Sequence, residues 1–90
     1  MAYALITGAS SGLGVEFAHL FAADKHPLIL LSSPRSRQAL EKIAQTIREQ
    51  YHVEVQTLSI DLAELNAAEH VYNTVKEQGW VVDYLVNNAG

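Results

Sequence analysis

The chain has no cysteine in its 90 residues, which excludes a disulfide framework, a thiolate metal site and a cysteine nucleophile. Cationic side chains are scarce as well: six Lys and Arg stand against ten Asp and Glu, for a net charge of −4. Gripping a nucleic-acid backbone takes a basic face, so that partner is excluded. No apolar run approaches the roughly 18 residues of a membrane span. No basic residue precedes the short apolar opening Met1–Ile6, so neither a membrane segment nor a signal peptide is expected, and a cytoplasmic location follows.

What remains is the composition of a globular piece. Hydrophobic residues make up 49% and charged residues 18%, too apolar a balance for a disordered tail. Ninety residues suffice for one small domain with a single core. Charge is unevenly spread along it. Residues 1–50 carry five basic side chains (Lys25, Arg35, Arg37, Lys42, Arg48) and four acidic ones, whereas residues 51–90 carry only Lys76 against six. The pair Arg35 and Arg37 is therefore a local basic feature in an acidic protein.

Hydrophobic spacing organises the chain as a strict alternation. Ala2–Thr7 reads as a short strand, followed by the glycine-rich turn Gly8-Ala9-Ser10-Ser11-Gly12-Leu13-Gly14. Leu13, Phe17, Leu20 and Phe21 recur at helical spacing and predict a buried helix face. Pro27 stops that helix, and Leu28–Leu31 is an uninterrupted apolar run, as in a strand buried on both sides. Leu40, Ile43, Ala44, Ile47 and Tyr51 predict an amphipathic helix over residues 35–50. Val53–Ile60 is more polar and alternates, as a half-exposed edge strand does. Leu65, Ala68, Val71, Tyr72 and Val75 outline a third helix ending near Gly79, and Asp83–Asn87 a fourth strand. The βαβαβαβ pattern implies an α/β fold: parallel strands with right-handed crossovers, in a Rossmann-like order 3-2-1-4. That is half of a doubly wound sheet, so residues 1–90 read as one dinucleotide-binding domain, expected to be incomplete.

A strand, a glycine-rich turn and a helix in succession form an anion site, because the first helical N–H groups lack internal partners and the helix dipole is positive there. In this reading Gly8 makes the tight exit from the strand. Gly12 allows close backbone approach of a diphosphate, and Gly14 allows tight packing of helix on strand. The P-loop is excluded, since no lysine follows the turn, and the G-x-G-x-x-G spacing is not met either. A merely flexible turn is the alternative, although three glycines exceed what such a turn needs.

Thr7-Gly8-Ala9-Ser10-Ser11-Gly12-Leu13-Gly14 resembles the TGxxxGxG motif of the short-chain dehydrogenase/reductase family. Asp61-Leu62 and Asn87-Asn88-Ala89-Gly90 resemble two further motifs of that family, in order and at similar spacing. The resemblance covers the family's N-terminal, cofactor-binding part. It implies that Gly8, Ser10, Ser11, Gly12, Leu13 and Gly14 hold the cofactor diphosphate and line the way to the nicotinamide. It further implies that Asp61 accepts a hydrogen bond from the adenine amino group and that Leu62 packs beside the ring. Asn87 would tie the fourth strand into the sheet, with Ala89 and Gly90 leaving room for the adenosine ribose. Asp61-x-x-Glu64 is also a capping-box pattern, a second role that can coexist with the first.

Cofactor choice is read at the end of the second strand. An NAD site carries an acidic residue there, about 20 positions beyond the glycines, to bond the ribose 2′-hydroxyl. Here the segment is Ser32-Ser33-Pro34-Arg35-Ser36-Arg37, with no carboxylate. Ser33, Arg35 and Arg37 suit a 2′-phosphate instead. The competing reading makes Ser33 a helix cap with Pro34 at the first helical position and both arginines solvated. A charged hydrogen bond contributes roughly 1.5–3 kcal/mol, so one or two favour NADP over NAD by roughly ten- to a thousandfold.

The resemblance places hydride-transfer chemistry on a serine and a Tyr-x-x-x-Lys pair beyond the NNAG turn. Tyr72-Asn73-Thr74-Val75-Lys76 matches that string but precedes Asn87, so it reads as a packed tyrosine with an exposed lysine. His19, His26, His52 and His70 share no metal-ligand spacing, and no catalytic residue is assigned. The fourth strand, an apolar edge as it stands, invites a partner. Two functions from different classes follow: the NADP-binding portion of an oxidoreductase, inactive alone, or a non-catalytic module that binds a nucleotide or self-assembles. A small α/β domain with no ligand is a third.

Overall fold

A computed structural model of the chain describes residues 2–88. Four parallel strands, β1 (Ala2–Thr7), β2 (Leu28–Ser32), β3 (Val55–Ser59) and β4 (Val81–Val86), form one sheet in the order β3-β2-β1-β4. Helices α1 (Gly12–Ala23), α2 (Arg37–Tyr51) and α3 (Ala67–Gln78) connect them, and a single 3₁₀ turn, Pro34–Ser36, precedes α2. The expected topology is therefore the observed one. None of the described helices is long and apolar enough to cross a membrane.

The central strands explain the apolar run. Every residue of β2 is buried, and Leu28, Ile29, Leu30 and Leu31 have no exposed surface. On one face Ala4, Ile6, Leu28 and Leu30 pack against Ala18 and Ala22 of α1 and Leu40, Ala44 and Ile47 of α2. On the other, Tyr3, Leu5, Ile29 and Leu31 pack with the partly buried Leu58, Val71, Trp80 and Val82. Burial of one such aliphatic side chain stabilises by roughly 1.5–3 kcal/mol. Two helices thus cover one face and one helix the other.

Four local expectations are corrected. First, the buried side of α1 is Gly14, Ala18 and Ala22, while Leu13 and Leu20 are 60% and 67% exposed. The helix lies so close to the turn that a Cβ on Gly14 would stand 2.8 Å from the carbonyl carbon of Gly8; small residues set that distance, and leucines turn outward. Second, Leu65 lies before α3 and is exposed, and Tyr72 is 64% exposed, so it is not packed as expected. Third, Asp61 and Glu64 form no capping box, because α3 begins only after its cap residue Asn66. The Asp61 Oδ1 accepts the N–H of Ala63 at 2.9 Å, a local turn. Fourth, Ser33 precedes the 3₁₀ turn with Pro34 at its first position, yet its side chain makes no cap bond. The strands also shift by a residue or two: β3 is shorter than Val53–Ile60, and β4 runs two residues earlier than Asp83 and stops before Asn87.

A candidate dinucleotide site at the strand ends

The turn after β1 is built from backbone geometry. Gly8 and Gly12 both have positive φ, 59° and 57°, which L side chains rarely adopt. Ala9 N–H donates to Leu31 O at 3.1 Å, stapling the turn to β2. A Cβ on Gly12 would meet nothing within 4 Å, so packing alone does not require a glycine there. Ser11, the residue before α1, is extended (φ −163°, ψ 165°) and its side chain caps no N–H. The first N–H groups of α1 therefore have no side-chain acceptor from their cap residue.

Thr7 locks the opposite side. Its buried hydroxyl oxygen accepts the Asn88 N–H at 2.9 Å and lies 3.3 Å from both Val86 O and Asn87 Oδ1. The Asn88 side-chain amide donates to Gly8 O at 3.3 Å. The end of β4 is in this way tied to the beginning of the turn. Asn88, quoted only as part of its motif, carries more of this tie than Asn87, which is exposed and lines the groove under α3. Expectations for Ala89 and Gly90 lie outside the described residues.

Beside the turn, a cleft of about 270 Å³ opens across the ends of β2 and β3. Gly8, Ser10, Ser33, Asp61 and Leu62, all singled out from the sequence, line it together. Ser32 and Ser36, from the same segment as Ser33, line it too, and Ala63 was not anticipated. Ser36 reaches it because the chain makes a 3₁₀ turn at Pro34 instead of entering α2 directly, a difference invisible in hydrophobic spacing. A second hollow of about 430 Å³ is bounded by Ser33, Pro34, Arg35, Asp61 and Ala63. Arg35 is therefore brought to the cleft mouth, whereas Arg37 opens α2 on the exposed side and lines neither space. Ser11, Gly12, Leu13 and Gly14 belong to the neighbouring turn and not to the cleft wall. Among the described residues no group of three or more His, Asp or Glu side chains could hold a metal ion.

A sequence model described as short chain dehydrogenase matches residues 2–90. The chain belongs to this family. The very-long-chain 3-oxoacyl-CoA reductase of Phaeosphaeria nodorum is 39% identical over 92 residues, covering 98% of this chain and 26% of that enzyme. Among solved structures, L-sorbose reductase from Gluconobacter frateurii, complexed with NADPH and L-sorbose, is similar with a TM-score of 0.88 at 31% identity, over 99% of this chain and 33% of that one. A short-chain dehydrogenase from Sphingobium yanoikuyae, in complex with NADPH, gives 0.86 at 33% identity, over 100% and 34%. The chain thus spans about a quarter of the length of the curated relatives it matches. It corresponds to a cofactor-binding segment of a short chain dehydrogenase, and the family binds a dinucleotide.

Proposed function

We propose that this chain is the NADP-binding portion of an oxidoreductase that exchanges hydride between a nicotinamide cofactor and a carbonyl or alcohol substrate. When bound, the nicotinamide supplies or accepts the hydride. The residues of this chain hold the rest of the molecule. Backbone N–H groups at Gly12, Leu13 and Gly14, with the hydroxyls of Ser10 and Ser11, are suited to a diphosphate at the positive end of α1. Asp61 keeps one carboxylate oxygen on the Ala63 N–H; its other oxygen would accept from an adenine amino group, and Leu62 would offer the ring an apolar neighbour. No catalytic role is proposed for Tyr72 and Lys76: they lie on α3, with the Lys76 Nζ 6.0 Å from the Tyr72 ring centroid, away from the turn.

One observation supports NADP over NAD: Ser33 and Arg35 border the hollow that continues the adenosine cleft, where an NAD site carries an acidic residue. Asp61 borders the same hollow, but it follows β3, whereas the acidic residue of an NAD site stands at the end of β2. The 2′-phosphate would take the guanidinium of Arg35 and the free Ser33 hydroxyl. The reading also fits solved relatives that were crystallised with NADPH. Calorimetric titration of the chain with each coenzyme tests it. NADP is expected to bind roughly ten- to a thousandfold more tightly than NAD; equal affinities overturn the NADP assignment, and no binding to either overturns the dinucleotide reading.

A further inference from the structure

Along β3 the backbone groups divide between two sides. Glu54 O accepts the Leu28 N–H, and Ile60 N–H donates to Ser32 O, so the even-numbered residues bond to β2. The N–H and C=O groups of Val55, Thr57 and Ser59 therefore point away from the sheet. A row of this kind is a template on which another strand can pair.

Helix α2 runs beside that row. Its Glu41, Gln45 and Arg48 recur at i, i+4 and i+7 and so share one stripe. Arg48 reaches round the edge and donates to Val55 O through Nε at 3.2 Å and Nη2 at 2.5 Å. Its Nη1 donates to the Gln45 side chain at 3.4 Å, which steadies the fork. Two residues along the strand, the Thr57 hydroxyl donates to the Glu41 carboxylate at 2.6 Å. A cation in the last turn of a helix is favourable wherever it points. Here the guanidinium turns toward the one outward carbonyl it can fork.

We infer that Arg48 and Glu41 hold this edge shut, and that without them β3 accepts the same edge of a second copy, antiparallel about Thr57. Any antiparallel register that uses the whole strand needs the Val55 carbonyl. With the axis at Thr57, the Ser59 N–H of each copy would require the Val55 O of the other. Arg48 already fills that oxygen with charged donors, and the twofold axis makes the loss occur twice. Glu41 acts through its charge. The two Thr57 Cα atoms would stand about 5.5 Å apart. The carboxylate bonded to each hydroxyl would then lie within a Debye length, roughly 8 Å at physiological salt, of its like-charged copy. One side chain occupies the acceptor and the other repels the partner.

This inference is independent of the cofactor reading. Because the chain has no cysteine, a cysteine at the axis reports on this edge alone. Thr57→Cys is expected to stay uncrosslinked under mild oxidation while Arg48 is present. Combined with Arg48→Met, it is expected to form a disulfide-linked dimer, since 5.5 Å lies within disulfide reach. Sedimentation of Arg48→Met should show self-association tighter than the parent's by roughly tenfold or more. Added salt should tighten it further by screening Glu41, and the Glu41→Gln/Arg48→Met double variant should lose that salt response. Arg48→Gln, which is also neutral and too short to fork the carbonyl, is expected to behave as Arg48→Met does, and circular dichroism identifies which variants are folded. A folded Arg48→Met or Arg48→Gln protein that associates no more than the parent overturns the inference. So does Thr57→Cys crosslinking equally fast with and without Arg48.

Discussion

Asn88, just past the end of β4, donates its side-chain amide to the carbonyl oxygen of Gly8 at 3.3 Å, across the mouth of the turn. Its backbone N–H, held at 2.9 Å by the Thr7 hydroxyl, fixes the amide in place. The orientation of Gly8 decides where the following N–H groups point, so the tie couples the sheet to the turn proposed to hold the diphosphate. Thr7→Val removes the hydroxyl at nearly constant shape. We expect a loss of about 1 kcal/mol in stability and weaker coenzyme binding, with Thr7→Ser close to the parent. Urea denaturation and coenzyme titration of the three proteins check this, and a Thr7→Val protein with parental affinity contradicts it.

Gly14 and Gly12 are glycines for different reasons, and alanine separates them. At Gly14 the new methyl would press on the Gly8 carbonyl and lie 2.8 Å from its carbon, so backbone must move, at a cost of roughly 1–3 kcal/mol. At Gly12 the methyl meets no atom, but φ of 57° strains an L residue by roughly 1–2 kcal/mol. Gly12 also belongs to the stretch of backbone proposed to hold the diphosphate. Gly14→Ala is expected to lose more stability, and Gly12→Ala to lose coenzyme affinity out of proportion to its stability. Denaturant midpoints beside calorimetric affinities measure both.

Arginine substitutions divide the basic pair. Arg35 borders the hollow beside Ser33 and Asp61, and Arg37 does not. Arg35→Ala is expected to weaken NADP by roughly tenfold or more, the worth of one charged hydrogen bond, and to leave NAD nearly unchanged. Arg37→Ala should alter NADP by less than twofold or threefold, through screened charge alone. Equal losses for the two variants would place the 2′-phosphate elsewhere.

Alkaline pH should act through Tyr3. Its phenol is buried and hydrogen-bonded to the Glu54 carboxylate. Burial first, and the nearby Glu54 second, raise its pKa above the ordinary value of 10.0. A group whose pKa is raised by folding stabilises the native state below its unfolded pKa, and that contribution disappears as pH climbs through the folded value. The parent is therefore expected to lose thermal stability above about pH 10 more steeply than Tyr3→Phe. Melting temperatures between pH 8 and 11 test the difference, and parallel curves would contradict it.

The order of elements and the sheet topology were legible in the residues because each rests on local or pairwise rules. Leu28–Leu31 had to be central, being apolar at every position. The polar alternation of Val55–Ser59 suits an edge, and right-handed crossovers leave few ways to connect four parallel strands. The glycine spacing likewise marked the tight turn after β1, since few other residues tolerate a positive φ. Asp61, Ser10 and Ser33 were singled out by type and position, and the fold brings them to one cleft.

What the linear pattern could not carry is how closely elements approach and which way a side chain turns once they do. Leu13 and Leu20 have the right spacing for a core stripe, but the Gly14–Gly8 contact rotates α1 so that small residues face the sheet. Arg35 and Arg37 are equivalent in composition, and only the 3₁₀ turn at Pro34 sends one to the cleft and the other to solvent. The bond from Asn88 to Gly8 spans 80 positions, and no periodicity announces it. Periodicity records which residues prefer to be buried; distance between backbones, set by packing, decides which of them can be.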